Sequence, residues 1–214
     1  MANLSASARG LDTKECDDVI TAILQNLHNV LLLEDSPGGD FPTTADELAS
    51  ATKALGAAMT QAMNTAKNNP KSLGPASKLV GSTTISLVDS AKKTATLSSD
   101  HNLGELILNN TKDILQKTAD SLNYAISAAA DPSNTGINVT AISIANYHKD
   151  SLIHSAKELS DSLTRMLSMI GSGSTNKACE EASDIILGAI NKLDNKNDHY
   201  SNFAKLKYDL FAIS

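Results

Sequence analysis

The sequence predicts an all-α protein, an antiparallel five-helix bundle with an additional helical segment at its C-terminal end. Three observations predict it. Hydrophobic residues make up 41% of the 214 residues, but aromatics only 3%, with three Phe, four Tyr and no Trp. A core of Ala, Leu, Ile and Met suits closely packed helices better than a β-sandwich, which relies on aromatic and β-branched side chains. Apolar residues recur at three- and four-residue spacing through five long stretches, and no stretch alternates strictly every second residue. Only five prolines interrupt the chain.

Residues 1–11 are polar and are expected to be disordered or appended to the fold. The first helix opens on the capping-box pattern Asp12-x-x-Glu15. Its stripe is Val19, Ile20, Ile23, Leu24, Leu27, Val30 and Leu31, and the loop Asp35-Ser-Pro-Gly-Gly-Asp-Phe-Pro, which holds Phe41, ends it. Thr44-x-x-Glu47 is read as the cap of the second helix. Leu48, Ala51, Leu55, Ala58, Met59, Ala62, Met63 and Ala66 form its apolar face, and Asn68-Asn-Pro70 stops it. Gly74-Pro75 begins the third helix, because Pro is tolerated in a first turn. Its face is Ala76, Leu79, Val80, Ile85, Leu87, Val88 and Ala91.

Ser98-Ser-Asp100 precedes the fourth helix, whose stripe is Leu103, Leu106, Ile107, Ile114, Leu115, Leu122, Ala125 and Ile126. Asp131-Pro-Ser-Asn-Thr-Gly136 breaks the pattern again. The fifth helix runs from about Val139 to Ile170, about 48 Å at 1.5 Å per residue. Residues 12–170 thus form one module. Residues 171–176, opening on Gly171-Ser-Gly-Ser174, are expected to be a flexible linker. Residues 177–214 are expected to be helical, with Cys179, Ala182, Ile185, Ile186, Ala189, Ile190 and Leu193 on one face. Four of the seven rings, Tyr200, Phe203, Tyr208 and Phe211, cluster in this segment.

The start of that segment repeats the first helix. Lys14-Glu-Cys-Asp-Asp matches Lys177-Ala-Cys-Glu-Glu, and Ile23-Leu24 matches Ile186-Leu187. Tandem modules give such a pattern, with residues 177–214 opening the next copy. A sixth helix of the same domain gives it too.

Net charge is −6, which argues against a nucleic-acid footprint. No signal peptide is expected from the polar first ten residues, and no stretch reads as a membrane span. Two cysteines, Cys16 and Cys179, are too few for a disulfide scaffold, so a cytosolic protein with free thiols is expected. The five histidines are scattered, and no zinc, Walker or nucleophile-elbow motif occurs. No catalytic residue, metal ligand or cofactor is therefore assigned. Asp17-Asp18 and Glu180-Glu181 read as first-turn complements of helix dipoles.

The informative pattern lies on the fifth helix. Leu152, Ser155, Ala156, Leu159, Ser160, Leu163, Met166, Leu167 and Ile170 mix large apolar and small residues along one wide stripe. Such a stripe suits the core of the bundle, and it also suits insertion into another protein's helical groove.

Residues 14–93, with Lys-Glu-Cys-Asp-Asp, Lys53-Ala-Leu-Gly-Ala-Ala-Met59 and Asn64-Thr-Ala-Lys67, resemble a rod module of talin, as does Leu152 to Ile170. The resemblance implies a cytosolic, adhesion-site linker between integrin receptors and actin, built of four- and five-helix bundles. It also implies a buried vinculin-binding helix of the form Leu-x-x-Ala-Ala-x-x-Val-Ala-x-x-Val-x-x-Leu-Ile-x-x-Ala. Leu152, Ala156, Leu163 and Leu167 fit that form. Ser155 and Ser160 stand for Ala, Leu159 for Val, Met166 for Leu and Ile170 for the last Ala. The third helix matches more roughly through Leu73, Ala76, Ser77, Val80, Gly81, Leu87, Val88 and Ala91. Vinculin head, reached after opening, is the implied partner.

Talin-like bundles also accept leucine–aspartate-type helices on an intact groove. The family site uses a second-helix Leu-Gly, here Leu55-Gly56, and a Trp that this sequence lacks. Competing classes are a constitutive helical scaffold and a ligand-binding bundle. The latter wants paired Glu-x-x-His, which is absent. Polar residues at core-facing positions, Thr84, Thr111 and Thr118, either weaken packing or bond back to the helix backbone.

Overall fold

A computed structural model describes residues 13–31, 38–130 and 139–170, with side chains of the last stretch described from residue 150. The expectations for residues 1–11, 171–176 and 177–214, including the second copy of the repeat, lie outside the described residues. Among those described there are five α-helices and no strand: α1 Thr13–Asn29, α2 Phe41–Asn68, α3 Leu73–Leu97, α4 His101–Ala130 and α5 Val139–Ile170. None of them is long and apolar enough to cross a membrane.

The start of α2 differs from the sequence expectation. Asp40, not Thr44, is the cap. Its backbone is extended and its carboxylate accepts the Thr43 N–H at 2.9 Å. Hydrogen bonds from Thr43 hold the Asp40 carboxyl below its ordinary pKa. Pro42 does not break the helix, because a first-turn residue needs no intrahelical donor. Phe41 therefore begins the helix rather than lying in the loop, and Thr44 is buried one turn in. At its far end α2 stops at Asn68, and a 3-10 turn, Pro70–Ser72, leads into α3. Asp100 opens α4 by accepting the Asn102 N–H at 2.9 Å.

The helices bury one continuous core. Leu48, Leu55 and Met59 of α2, Leu73 and Leu87 of α3, and Ile107, Ile114, Leu115 and Leu122 of α4 are its largest fully buried members, together with Ile23, Leu159 and Met166. α2 packs along α3, α1 along both α3 and α4, and α5 mainly along α4 and secondarily along α2. Small residues set the close approaches. A Cβ at Gly104 would stand 2.9 Å from the Ala95 carbonyl oxygen, where α3 meets α4. The predicted stripes were drawn too wide, since Leu24, Leu31, Leu79, Ile85 and Leu106 are all exposed.

The core threonines bond back to the backbone. Thr84 donates to the Val80 carbonyl, Thr111 to Ile107 and Thr118 to Ile114, each at 2.7–2.8 Å. Their hydroxyls are thus satisfied without partners on other helices, at the expense of apolar packing in those layers.

Candidate partner-binding helix

Why α5 presents one apolar face follows from its spacing. Residues at i, i+3, i+4 and i+7 share a side of a helix. Leu152, Ser155, Ala156, Leu159, Leu163, Met166, Leu167 and Ile170 all fall on that side, and every one is at most 7% exposed. Ser160 and Ser162 are buried beside them. Lys157, Glu158, Asp161 and Arg165 face outward. The eight candidate residues are therefore gathered on one face, and all of it is turned into the protein.

The rougher match on α3 is buried in the same way at Leu73, Ala76, Ser77, Val80, Leu87, Val88 and Ala91. Leu55 and Gly56, the second-helix pair, are also buried rather than on a surface groove.

A polar seam, which the sequence reasoning missed, joins α4 to α5. Asn110, Asp113, Lys117 and Ser121 recur every three or four residues, so they line one flank of α4. The Ser121 and Ser155 hydroxyls are 2.6 Å apart and buried. Ser162 donates to Asp113 Oδ2 at 2.6 Å, and Lys117 Nζ donates to both Asp113 Oδ2 and Ser162 Oγ, at 2.9 and 2.8 Å. Arg165 Nη1 lies 3.8 Å from the same carboxylate. Asn110 Nδ2 donates to the Ser162 carbonyl at 2.9 Å, but its Oδ1 is buried with no donor among the described residues. The i, i+4 pair Asp113–Lys117 was the available signal, though by itself it reads as a solvated helix face.

Partial burial pushes the Asp113 carboxyl up. The Ser162 hydroxyl, the Lys117 ammonium and the charge of Arg165 outweigh that and hold it below its ordinary value of 3.8. A depressed carboxylate contributes stability above its unfolded pKa, and that contribution is lost as pH falls through the folded value. Wild-type urea midpoints should therefore drop from pH 7 to about pH 3 by more than those of Asp113→Asn. The difference should be modest, because 37% of the Asp113 side chain is exposed and the pair is screened.

The orphaned Asn110 Oδ1 gives a prediction of opposite sign. Leu has the same branching at Cγ and carries no polar atom. Asn110→Leu gives up one hydrogen bond to a carbonyl and removes a buried unsatisfied acceptor. It should raise the unfolding free energy by about 1 kcal/mol, read from urea denaturation.

A second surface feature lies between α1 and α3. Val19, Ala22 and Ile23 face Gly81 and Ile85 across a groove of about 600 Å³, with Lys14, Glu15, Asp18 and Lys78 around it. Glu15 and Lys78 pair at 2.6 Å. Gly81 keeps the helices close, since a Cβ there would stand 3.2 Å from Val19 Cγ1. Cys16 is fully buried, with the Ser77 hydroxyl 3.3 Å from its sulfur. Among the described residues no group of three or more His, Cys, Asp or Glu could hold a metal ion.

No family model matches the chain. It is similar to talin-A of Dictyostelium discoideum, with 30% identity over 203 residues, which is 90% of this chain and 8% of talin-A. It is also similar to talin-B of the same organism, with 22% identity over 193 residues, 86% of this chain and 7% of talin-B. The chain thus spans less than a tenth of the length of either relative.

Proposed function

We propose that this chain, a homologue of the talins across nine tenths of its length, is a rod module of a cytoskeletal adaptor whose fifth helix is a covered vinculin-binding site. In this reading the helices form an antiparallel five-helix bundle within residues 12–170. Residues 177–214 open a following module, and the parent protein links adhesion receptors to actin in the cytoplasm. The module does no chemistry of its own; it presents or withholds a helix.

The observation that carries the proposal is the burial of the whole α5 stripe. A face that lies in the bundle core cannot lie in a partner's groove at the same time. Full burial of a large apolar side chain is worth about 1.5–3 kcal/mol. Leu152, Leu159, Leu163, Met166, Leu167 and Ile170 therefore bind α5 to its own module until a partner groove replaces the core. Tension between the chain ends favours whichever state is longer. A 160-residue module gains up to about 500 Å of contour on full extension at 3.3–3.6 Å per residue. Force thus shifts the equilibrium toward exposure without contacting the site. The test is a titration of purified vinculin head against the intact chain and against a peptide of residues 152–170.

A second reading, docking of a leucine–aspartate-type amphipathic helix on the closed bundle, is favoured by the groove between α1 and α3. Exposed Ile85 and half-buried Val19 give apolar surface there, beside a charged rim of Lys14, Glu15, Asp18 and Lys78. That mode needs no opening. Binding that survives when α5 is held in place supports it.

A further inference from the structure

We infer that residues 177–193 of one copy of this chain seat on α3 and α4 of a second copy, in the place of α1. The contact goes beyond the α5 stripe and does not depend on vinculin head. It follows from what the α1 seat holds, from the sequence that matches it, and from where α5 ends.

The seat is shallow. α1 packs on α3 and α4, with no comparable contact to α2 or α5. It buries Cys16, Ile20 and Ile23, whereas α2, α3 and α4 each bury ten or more residues. Glu15 and Cys16 face Lys78 and Ser77, and Val19 faces Gly81, so α1 runs in the same direction as α3. Residues 177–193 carry the same pattern. At a constant offset, Lys177, Cys179, Glu180-Glu181 and Ile186 stand where α1 has Lys14, Cys16, Asp17-Asp18 and Ile23. Ile190 stands for Leu27 and Leu193 for Val30, so the matching face stays apolar to its end. At Ala22, which lines the groove beside exposed Ile85, the copy has Ile185 and adds apolar cover. One position departs. Ser183 stands where α1 buries Ile20, so the copy holds the seat less firmly than α1, and exchange involves a minority of molecules.

The reach of the chain decides which copy supplies the segment. Ser121 meets Ser155 and Asp113 meets Ser162, so α4 and α5 run in opposite directions. Continuing that register sets Ile170 level with the first turns of α4, where Gly104 lies against Ala95 near the end of α3. α1 starts at the other end of α3, where Glu15 packs against Gly74. From Gly74 to Ala95, α3 rises about 30 Å. Residues 171–176 alone separate Ile170 from Lys177, and that link spans at most about 25 Å when fully extended. Lys177 therefore cannot reach the level of Lys14 on its own bundle in the orientation of α1. A second copy presents the same seat without that constraint. Two copies exchange the segment reciprocally, or an unreciprocated contact leaves a segment for a third copy.

A disulfide trap on the full chain tests this without any other protein. The Cys16 sulfur and the Ser77 hydroxyl lie 3.3 Å apart. Cys16→Ser combined with Ser77→Cys exchanges the two groups, so the packing is kept and two thiols remain, one at position 77 and one at Cys179. When Cys179 takes the place of Cys16, the two thiols meet, and gentle oxidation traps them as a disulfide between copies. Peptide mapping of the dimer band on a non-reducing gel should find position 77 joined to Cys179, with a yield that rises with protein concentration. Adding Ser183→Ile should raise the yield about tenfold at low conversion, because it restores the apolar group that α1 buries at Ile20. Adding Ile186→Asp should lower it by about the same factor, because the seat would then bury an unpaired charge. Both added changes lie outside residues 13–170, so α1 to α5 keep the sequence of the parent variant. Absence of a link between position 77 and Cys179, a link formed only within one copy, or a yield indifferent to both added changes overturns the inference.

Discussion

A peptide spanning residues 152–170 is expected to bind vinculin head about a thousandfold or more tightly than the intact chain. The size of the gap follows from the opening equilibrium. When only a fraction of molecules exposes the site, the apparent affinity falls by that fraction. Each 1.4 kcal/mol of opening free energy is a factor of ten, so an opening of about 4 kcal/mol gives about a thousandfold. Native domains are stable by about 5–15 kcal/mol, so an opening that costs only about 4 kcal/mol already gives the thousandfold gap. Isothermal titration of head into peptide and into chain reads the gap directly. Equal affinities, whether both tight or both weak, contradict a covered site. The burial of the α5 stripe at 7% exposure or less is what makes the gap large.

Leu159→Ala is expected to lower the unfolding free energy of the chain by about 2–5 kcal/mol. Leu159 is 1% exposed at the middle of the α5 stripe, so its truncation removes apolar burial and leaves a cavity. The same substitution in the peptide should weaken binding to vinculin head, because one side chain serves both cores in turn. Urea denaturation reads the first effect and titration of the peptide the second. A substitution on the outward face, Lys157→Ala, should change neither by much. The paired loss separates a dual-use face from a purely structural one.

Much of this architecture was legible in the sequence. Five amphipathic stretches could be counted, and α5 runs from Val139 to Ile170 as its periodicity requires. What periodicity could not set was the width of each stripe. Leu24, Leu79, Ile85 and Leu106 sit at the edges of theirs, and only the placement of neighbouring helices decides that they face outward. The start of α2 was misplaced because Phe41-Pro42 reads as loop chemistry, whereas a first turn accepts proline and Asp40 supplies the cap.

The candidate face and the seam behind it differed in the same way. Large residues at i, i+4, i+7 and i+11 announce a face. Asn110, Asp113, Lys117 and Ser121 follow the same spacing but look like an ordinary solvated flank. Their role depends on Ser155, Ser162 and Arg165 arriving from α5, some 34 to 52 residues further along. A tertiary pairing of that range leaves no local signature. The exposed groove beside Val19 and Gly81 was hidden for the same reason, since it exists only once α1 lies on α3.

The most direct test of a force-gated α5 is to stretch single molecules of the chain, relax them, and repeat with vinculin head in solution. Extension should occur under load in both cases. Without the head the chain should refold on relaxation; with it, the extended state should persist, and mixing in the Leu159→Ala peptide as competitor should release it less well than the wild-type peptide. Refolding at the same rate with and without vinculin head, after full extension, would contradict the account.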